Sequence, residues 1–346
     1  MSIPKQSLHR FSQSRIFSGL VRFFEQQDDR RTNLLRVLTY HRVDELDHRP
    51  HLCPGMISAT PSAFRQQMQL LKSRYRVISL WDLLQAIESE TPLPPRSVLV
   101  TFDDAYLDFA EQAWPILREL DLPATLFVPT SFPDKPARRF WWDRLYNVIC
   151  RSESRIQVAT PWNERVSLEP GDPRAHVLFK RLKNHLKSLP HEEAMQSVEE
   201  ICRPVEERHE SRTPESNGVL GWAELDQLAR EGVVLAPHTQ THPLLNRVTP
   251  DVVRQEAVGS YRDLKSHWPK VPRVLAYPAG GVNRQAAEEL RAAGFRLAFT
   301  TERGMNDLSR SNPLELRRIN VGQKTSLSLF RAQLLPQFRH LAGRFG

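Results

Sequence analysis

The order of apolar and amphipathic segments most restricts how this chain can fold. Short apolar runs alternate with longer amphipathic stretches from residue 34 to residue 321. We predict eight strands, over Leu34–Tyr40, Arg76–Leu80, Ser97–Phe102, Ala124–Pro129, Val233–Pro237, Val274–Tyr277, Arg296–Thr300 and Arg317–Val321. Strands that alternate with helices form mainly parallel sheets. This number of strands favours a closed or nearly closed α/β barrel of about seven to eight parallel strands, with its chemistry at the C-terminal strand ends.

The helices between these strands are predicted from their 3.6-residue periodicity. They cover Ala63–Lys72, Trp81–Glu88, Leu107–Leu120, Trp222–Arg230, Val252–Trp268 and Arg284–Ala293. Thr60 and Thr249 each precede a proline, so each is expected to cap a helix with its hydroxyl. Gly294 is an expected helix stop.

One region interrupts the alternation. Residues 132–218 show no strand pattern but contain the helical stretches His176–Leu189 and Glu192–Cys202. We interpret 132–218 as a helical insertion in one strand-to-helix loop of a domain over 34–325. Residues 1–33 are then an N-terminal basic extension, and 326–346 a C-terminal helix.

Composition narrows the class of protein. With 40% apolar and 25% charged residues, the chain resembles soluble globular proteins. The net charge of +8 is spread along the chain rather than concentrated beside aromatic residues, so we expect no nucleic-acid partner. Cys53, Cys150 and Cys202 are far apart and fit no Cys-x-x-Cys pattern, which favours a reducing compartment.

The N-terminal extension carries the short apolar stretch Ile16–Phe24, which Ser18 and Arg22 interrupt. It is a poor signal peptide, so we expect a cytoplasmic protein. The stretch is either a plain surface helix or an amphipathic helix in peripheral contact with a membrane. The oligomeric state is left open by the sequence.

Two carboxylates, Asp103 and Asp104, follow the strand Ser97–Phe102 directly. Adjacent like charges repel, and a bound cation would neutralise them. The plainer alternative is that one aspartate caps the next helix while the other faces water.

Two histidines, His238 and His242, follow another strand and are four residues apart. Neutral imidazoles at this spacing can bind one ion of zinc or a similar metal. One such histidine alone is more typical of a structural role. Together, one aspartate and two histidines form a three-ligand site with room for water, and leave the other aspartate free to act as a base.

These segments resemble the polysaccharide deacetylase family (carbohydrate esterase family 4, the NodB-homology domain). Residues 101–105, Thr-Phe-Asp-Asp-Ala, are similar to its Thr-Phe-Asp-Asp-Gly motif. Residues 238–243 resemble its His-Ser/Thr-x-x-His motif, residues 277–280 its third motif, and residues 294–301 a late strand. The resemblance implies a distorted (β/α) barrel and removal of N-acetyl groups from an N-acetylated glycan of the N-acetylglucosamine type.

The resemblance also implies roles for single residues. Asp103 would be the general base, and Asp104, His238 and His242 the ligands of a divalent metal, usually Zn²⁺. The substrate-binding residues are expected among a set from the motif loops, the insertion and the last strand: Tyr106, Tyr277, Pro278, Ala279, Trp141, Trp142 and Arg318. Of this set, Ala279 would donate its backbone N–H to the oxyanion.

Four positions depart from the family pattern, one of them Ala279, where the family has a tyrosine after the proline. Its glycine is Ala105 here, and its arginine that orients the base is Ala276. Its late histidine, the general acid, is absent from 314–321. Tyr40-His41 resembles the exopolysaccharide-deacetylase branch, so we expect His41 to be the general acid, against the alternative of a structural histidine. Arg317 or Arg318 is expected to replace the missing arginine.

Two other functions compete with a deacetylase. A non-catalytic sugar-binding relative would keep the pocket, but it would lose a ligand or the base. A nucleic-acid-binding protein would explain the charge but not the paired residues at two strand ends.

Overall fold

The computed structural model describes residues 15–27, 31–208 and 218–338. The strands are β1 (Leu34–Tyr40), β2 (Arg42–Val43), β3 (Ile57–Ala59), β4 (Arg76–Ile78), β5 (Ser97–Phe102), β6 (Thr125–Val128), β7 (Ile156–Ala159), β8 (Arg165–Leu168), β9 (Val234–Pro237), β10 (Val274–Ala276), β11 (Leu297–Arg303), β12 (Asn306–Asp307) and β13 (Leu316–Asn320). The α-helices are α1 (Arg15–Gln27), α2 (Pro61–Arg74), α3 (Leu80–Glu88), α4 (Trp114–Glu119), α5 (Trp141–Cys150), α6 (Arg174–Leu186), α7 (His191–Glu206), α8 (Trp222–Arg230), α9 (Pro250–His267), α10 (Arg284–Ala292) and α11 (Leu327–Gln333).

Seven parallel strands form a nearly closed barrel in the order β10-β11-β13-β1-β5-β6-β9. The first and last barrel strands of the chain are neighbours, with Leu38 of β1 opposite Ile319 of β13. Within the described residues, no hydrogen-bonded ladder joins β9 to β10, which leaves one gap in the wall. The predicted barrel is thus confirmed. The one predicted strand that is not among these seven, β4, pairs in parallel with the start of β5.

The barrel has an apolar interior because side chains alternate along each strand. Its core contains residues such as Val37, Leu99, Phe127, Phe299 and Leu316. The opposite faces of the same strands pack against the helices in two further apolar clusters, one of which contains Leu275 and Ala298 of β10 and β11. Polar side chains that follow the strands are therefore placed at the barrel mouth.

The predicted helices are present, with two local differences. The segment predicted as Leu107–Leu120 contains a π-helical turn over Phe109–Ala113 before α4, where Pro115 removes an N–H from the helical ladder. Thr60 caps α2 through the N–H of Ala63, as predicted. Thr249 occupies the N-cap position of α9, but its side chain makes no capping hydrogen bond.

The insertion joins β6 to α8 and is not entirely helical. Besides α5, α6 and α7, it contains the antiparallel hairpin of β7 and β8, so the prediction of a purely helical segment is wrong there. Residues 156–159, Ile-Gln-Val-Ala, alternate between buried and exposed positions, as a half-buried strand does. Strands of four residues give too short a pattern to detect against the surrounding helices.

The first described helix packs against the last described segment. Phe17 and Val21 of α1 lie in an apolar cluster with Ala332, Leu335 and Phe338. The C-terminal segment is not one helix: α11 ends at Gln333, and a separate 3₁₀ turn follows over Pro336–Phe338.

Several features of the termini lie outside the described residues. These are the basic residues Lys5 and Arg10 and the late histidine His340. In the described ranges, no helix is both long and apolar enough to pass through a bilayer.

Candidate active site

A cavity of about 590 Å³ opens at the C-terminal mouth of the barrel. Its walls include His41 after β1, Asp104 after β5, and His238 and His242 after β9. This volume lies within the range of about 300–1,000 Å³ typical of small-molecule sites. The parallel strands thus bring together four polar side chains from three separate parts of the sequence.

Asp104, His238 and His242 form a buried cluster with the donor set of a metal site. Their ligand atoms all lie within 4.8 Å of one another. Asp104 Oδ1 is 3.4 Å from His238 Nε2 and 3.2 Å from His242 Nε2. Ligand atoms about 2.0–2.1 Å from a tetrahedral zinc ion are about 3.3 Å apart, so these spacings fit such an ion.

The hydrogen-bonding state of the cluster also suits a cation. Asp104 Oδ1 is buried without a hydrogen-bond partner in the described structure. His238 Nδ1 donates to the carbonyl oxygen of Ala276 at 2.7 Å, which leaves the lone pair on Nε2 facing the aspartate. The residues present therefore fit a divalent metal.

The loop that carries both histidines is held by an acidic residue of α9. Glu256 accepts hydrogen bonds from the backbone N–H groups of Gln240 and Thr241 and from the Thr241 hydroxyl. Within the loop, the N–H of His242 donates to Thr239 Oγ1 at 3.0 Å. Sequence reasoning missed Glu256, because nothing in its spacing links α9 to the loop.

Asp103 is held by a bidentate ion pair with Arg318. Arg318 Nη1 and Nη2 donate to the two carboxylate oxygens at 2.8 and 2.7 Å, and its Nε donates to the Thr300 carbonyl at 2.7 Å. The Arg318 side chain is fully buried, whereas Arg317 is half exposed and pairs with Glu302. Of the two predicted arginines, Arg318 is thus the one beside Asp103.

The ionisation of the cluster follows from burial and charge. Burial alone would raise the pKa of Asp103 and of Asp104. The positive charges of Arg318 and His238 outweigh burial at Asp103, and hydrogen bonds from His238 and His242 outweigh it at Asp104. The pKa values of both aspartates are therefore lowered. Burial lowers the pKa of His242, and the same effect on the pKa of His238 is outweighed by the two aspartates.

Backbone conformations at the site are unusual. Asp104, Thr239, His242 and Ala279 have φ between 48° and 72°, in the left-handed region. Residues other than glycine avoid this region, and strained backbone clusters at functional sites. Ala105, at the position of the family's glycine, also has a positive φ of 53°. The family's glycine would adopt this conformation without strain.

A network from the insertion reaches the site. Tyr106 donates its hydroxyl to Asp143 Oδ2 of α5 at 2.8 Å, and Trp142 Nε1 donates to the Tyr106 hydroxyl at 2.9 Å. The Trp142 ring lies edge-on to His242, with 5.0 Å between the ring centroids. Asp143 Oδ1 also accepts from the N–H of Cys53, in the segment before β3. One buried carboxyl thus ties α5 to two other walls of the cavity.

The predicted substrate-binding residues divide into two groups. Ala279, Trp141 and Trp142 line the cavity. Four others are buried and are not among the residues that line it: Tyr106, Tyr277, Pro278 and Arg318.

The reason lies in the bonds of these buried residues. Tyr106 is held by Asp143, as described above, and Tyr277 donates its hydroxyl to the carbonyl of Leu314. Arg318 is occupied by Asp103.

The cavity also contains cationic residues that sequence reasoning missed. Lys183 and Lys187 belong to α6 and the turn that follows it, Arg303 is the last residue of β11, and Lys324 follows β13. The four-residue spacing of the two lysines places them on one helical face, but nothing in the sequence indicates that this face meets the barrel.

A family model described as "Polysaccharide deacetylase" matches residues 90–166 and 181–298, more than half of the chain. The chain belongs to the polysaccharide deacetylase family. The matched ranges contain the aspartate pair, the histidine pair and Ala279, but neither His41 nor Arg318.

Similar proteins are known from sequence and structure. Poly-beta-1,6-N-acetyl-D-glucosamine N-deacetylase of Escherichia coli is 24% identical over 314 residues, which cover 86% of this chain. The match covers only 38% of that relative's length. The deacetylase PplD of Streptococcus pyogenes, solved with acetate, has a TM-score of 0.57 at 20% identity, covering 88% of this chain and 99% of that one. BC0361, a polysaccharide deacetylase from Bacillus cereus, has a TM-score of 0.56 at 17% identity, covering 88% and 69%. These two structures support the barrel fold.

Proposed function

We propose that this protein is a metal-dependent hydrolase that removes N-acetyl groups from an N-acetylated glycan. The observation that carries the proposal is the meeting of Asp104, His238 and His242 beside the carboxylate of Asp103 at the mouth of the barrel. The name of the Escherichia coli relative makes an N-acetylglucosamine polymer the first substrate to test.

The three-residue cluster would hold the metal, for which we propose Zn²⁺. A divalent ion supplies two effects when bound: it lowers the pKa of water toward about 7 and polarises a carbonyl oxygen. The protein contributes the ligand geometry, since the Ala276 carbonyl fixes the ring of His238 and Glu256 fixes the loop of His242.

Asp103 is the proposed general base. Its pKa is lowered, so the carboxylate is ionised at neutral pH and can accept a proton from the attacking water. Arg318 keeps both oxygens of this carboxylate in one orientation.

His41 and Ala279 complete the proposed machinery. His41 is half-buried in the cavity wall, and its backbone is fixed by a hydrogen bond from its N–H to Ser58 Oγ at 2.9 Å. We propose that His41 is the general acid, which donates a proton to the leaving nitrogen. The N–H of Ala279 is the proposed oxyanion donor, at a left-handed position that exposes the residue to the cavity.

The test separates the base from the metal ligands. We expect Asp103→Asn to keep the bound metal and lose acetate release by about 10²–10⁴-fold, whereas His238→Ala loses both. His267→Ala, at an exposed histidine of α9, is the matched control and should change neither. Metal content is measured by mass spectrometry, and acetate release from β-1,6-linked N-acetylglucosamine oligomers by a coupled assay. Normal turnover by Asp103→Asn would show that the base is assigned wrongly.

A chelator provides an independent test of the metal. Removing the bound metal from the wild-type protein with the chelator should stop acetate release, and adding Zn²⁺ should restore the activity. Full activity of the metal-free protein would refute metal dependence.

A further inference from the structure

Two lysines of the insertion line the cavity. Lys183 of α6 and Lys187 just after it are four residues apart and both line the cavity that contains Asp104 and the two histidines. The Lys183 side chain also passes over the ring of Phe179, with its ammonium 5.5 Å from the ring centroid. This contact helps to fix the direction in which the lysine extends.

Two further basic residues line the cavity. Lys324 follows β13 and Arg303 ends β11, and both line the same cavity. Among the described residues that line it, Asp104 is the only acidic one. That carboxylate is committed to the proposed metal site. The remaining charge of the cavity walls is therefore positive.

Charge pairing varies among the basic residues of this protein. Some exposed arginines outside the cavity are paired with carboxylates, as Arg65 is with Glu119 and Arg254 with Glu289. In the part of the chain that the structure describes, Lys183, Lys187 and Lys324 form no ion pair. Cations gathered in one concave site without counter-charges repel one another and attract anions.

We propose that the cavity selects an anionic glycan: an N-acetylated sugar that carries a carboxylate or a phosphate beside the acetamide. This inference rests on the proposed deacetylase function and names the substrate class of the same site. A neutral N-acetylglucosamine polymer has no group that would neutralise the lysines. Lysine suits either anion, because its ammonium acts as a point charge rather than as a planar fork.

The first measurement is binding, which does not depend on turnover. Asp103→Asn protein is titrated with three ligands, and the fluorescence of the cavity tryptophans is followed. The ligands are a neutral β-1,6-linked N-acetylglucosamine tetramer, a tetramer in which N-acetylglucosamine alternates with glucuronic acid, and N-acetylglucosamine joined through diphosphate to a short isoprenol. The isoprenyl glycoside without diphosphate controls for the lipid.

We expect one of the two anionic ligands to bind at least about tenfold more tightly than its neutral counterpart, with a preference that falls as salt is raised. The ligand that does so identifies carboxylate or phosphate as the recognised group. Adding Lys183→Gln and Lys187→Gln should reduce the preference by about threefold to tenfold. The matched control, Lys180→Gln with Lys270→Gln, removes the same charge at two exposed positions outside the cavity and should leave it unchanged.

Equal binding of neutral and anionic ligands would overturn the inference, as would an equal loss in the control variant, which would indicate a general charge effect. Acetate release by the wild-type protein is measured on the same ligands. If the neutral tetramer is deacetylated as fast as the anionic ligands, the enzyme function holds and the anionic selectivity fails. If anionic ligands bind selectively but none releases acetate, the selectivity holds and the proposed function fails.

Discussion

Replacing Arg318 by methionine tests whether Asp103, the proposed base, depends on its buried partner. The substitution keeps a long side chain and removes the guanidinium that donates to both oxygens of Asp103. Both side chains are almost inaccessible to solvent, with exposed fractions of 0% and 3%. Breaking a buried pair from one side leaves an uncompensated charge, and costs about 3–5 kcal/mol of unfolding free energy.

The loss should depend on pH in a direction that follows from the pKa of Asp103. That pKa is lowered in the folded protein, so the pair contributes stability above the ordinary aspartate pKa of about 3.9 and loses it as the pH falls through the folded value. Without Arg318, burial dominates and raises the pKa of Asp103. The acid limb of the pH profile of kcat/KM should then move to higher pH.

Two further variants make the measurement specific. Arg317→Met removes the neighbouring arginine, whose ion pair with Glu302 is exposed, and should cost less than about 1 kcal/mol. Ala276, at the family's usual arginine position, lies in the barrel's interior cluster. Ala276→Arg combined with Arg318→Ala should therefore restore part of the activity that Arg318→Ala alone loses.

The assays are urea denaturation at several pH values and acetate release as a function of pH. If Arg318→Met unfolds with the free energy of Arg317→Met and keeps the wild-type acid limb, then the ion pair neither stabilises the barrel nor tunes the base. That result would refute the reasoning.

Two further predictions concern stability. Gly280→Ala should cost more than about 2 kcal/mol, because a Cβ there would lie 2.6 Å from the backbone nitrogen of Thr301, whereas Gly232→Ala, also at positive φ but in open space, should cost only about 1–2 kcal/mol. Equal losses of unfolding free energy in urea would contradict the steric argument. Burial raises the pKa of Asp143 to about 7, so the stability of the wild-type protein relative to Asp143→Asn should be highest at low pH and decline as the pH rises through 7. Parallel pH profiles of the two unfolding free energies would contradict this.

The barrel could be predicted because its strands are short, apolar and separated by periodic helices. The predicted ranges of β1 and β5 agree with the structure to the residue, and the others differ only at their ends. The hairpin of β7 and β8 escaped detection because four residues are too few for a reliable period. The C-terminal helix ends at Gln333, three residues before Pro336, a spacing that is common where a proline follows a helix.

Some residues of the candidate site could likewise be predicted from the sequence, and others could not. The aspartate and histidine pairs are each local in sequence, and a parallel barrel brings strand ends together wherever they lie in the chain. The sequence did not distinguish Arg318 from Arg317, because the strand that contains both has no clear alternation of apolar and polar residues. Which of the two faces the barrel interior depends on how this strand pairs with its neighbours. The lysines of the cavity depend on how α6 docks over the barrel, which is a property of tertiary packing and not of local pattern.

The gap between β9 and β10 gives one histidine a double role. The ring of His238 spans this gap, because its Nδ1 is bonded to the carbonyl of Ala276 at the end of β10 while its Nε2 faces Asp104 after β5. Across this gap, where the described strands form no ladder, the imidazole supplies a side-chain hydrogen bond between β9 and β10. The same side chain thus links two barrel strands at the rim and contributes a proposed metal ligand, so a substitution of His238 should affect both.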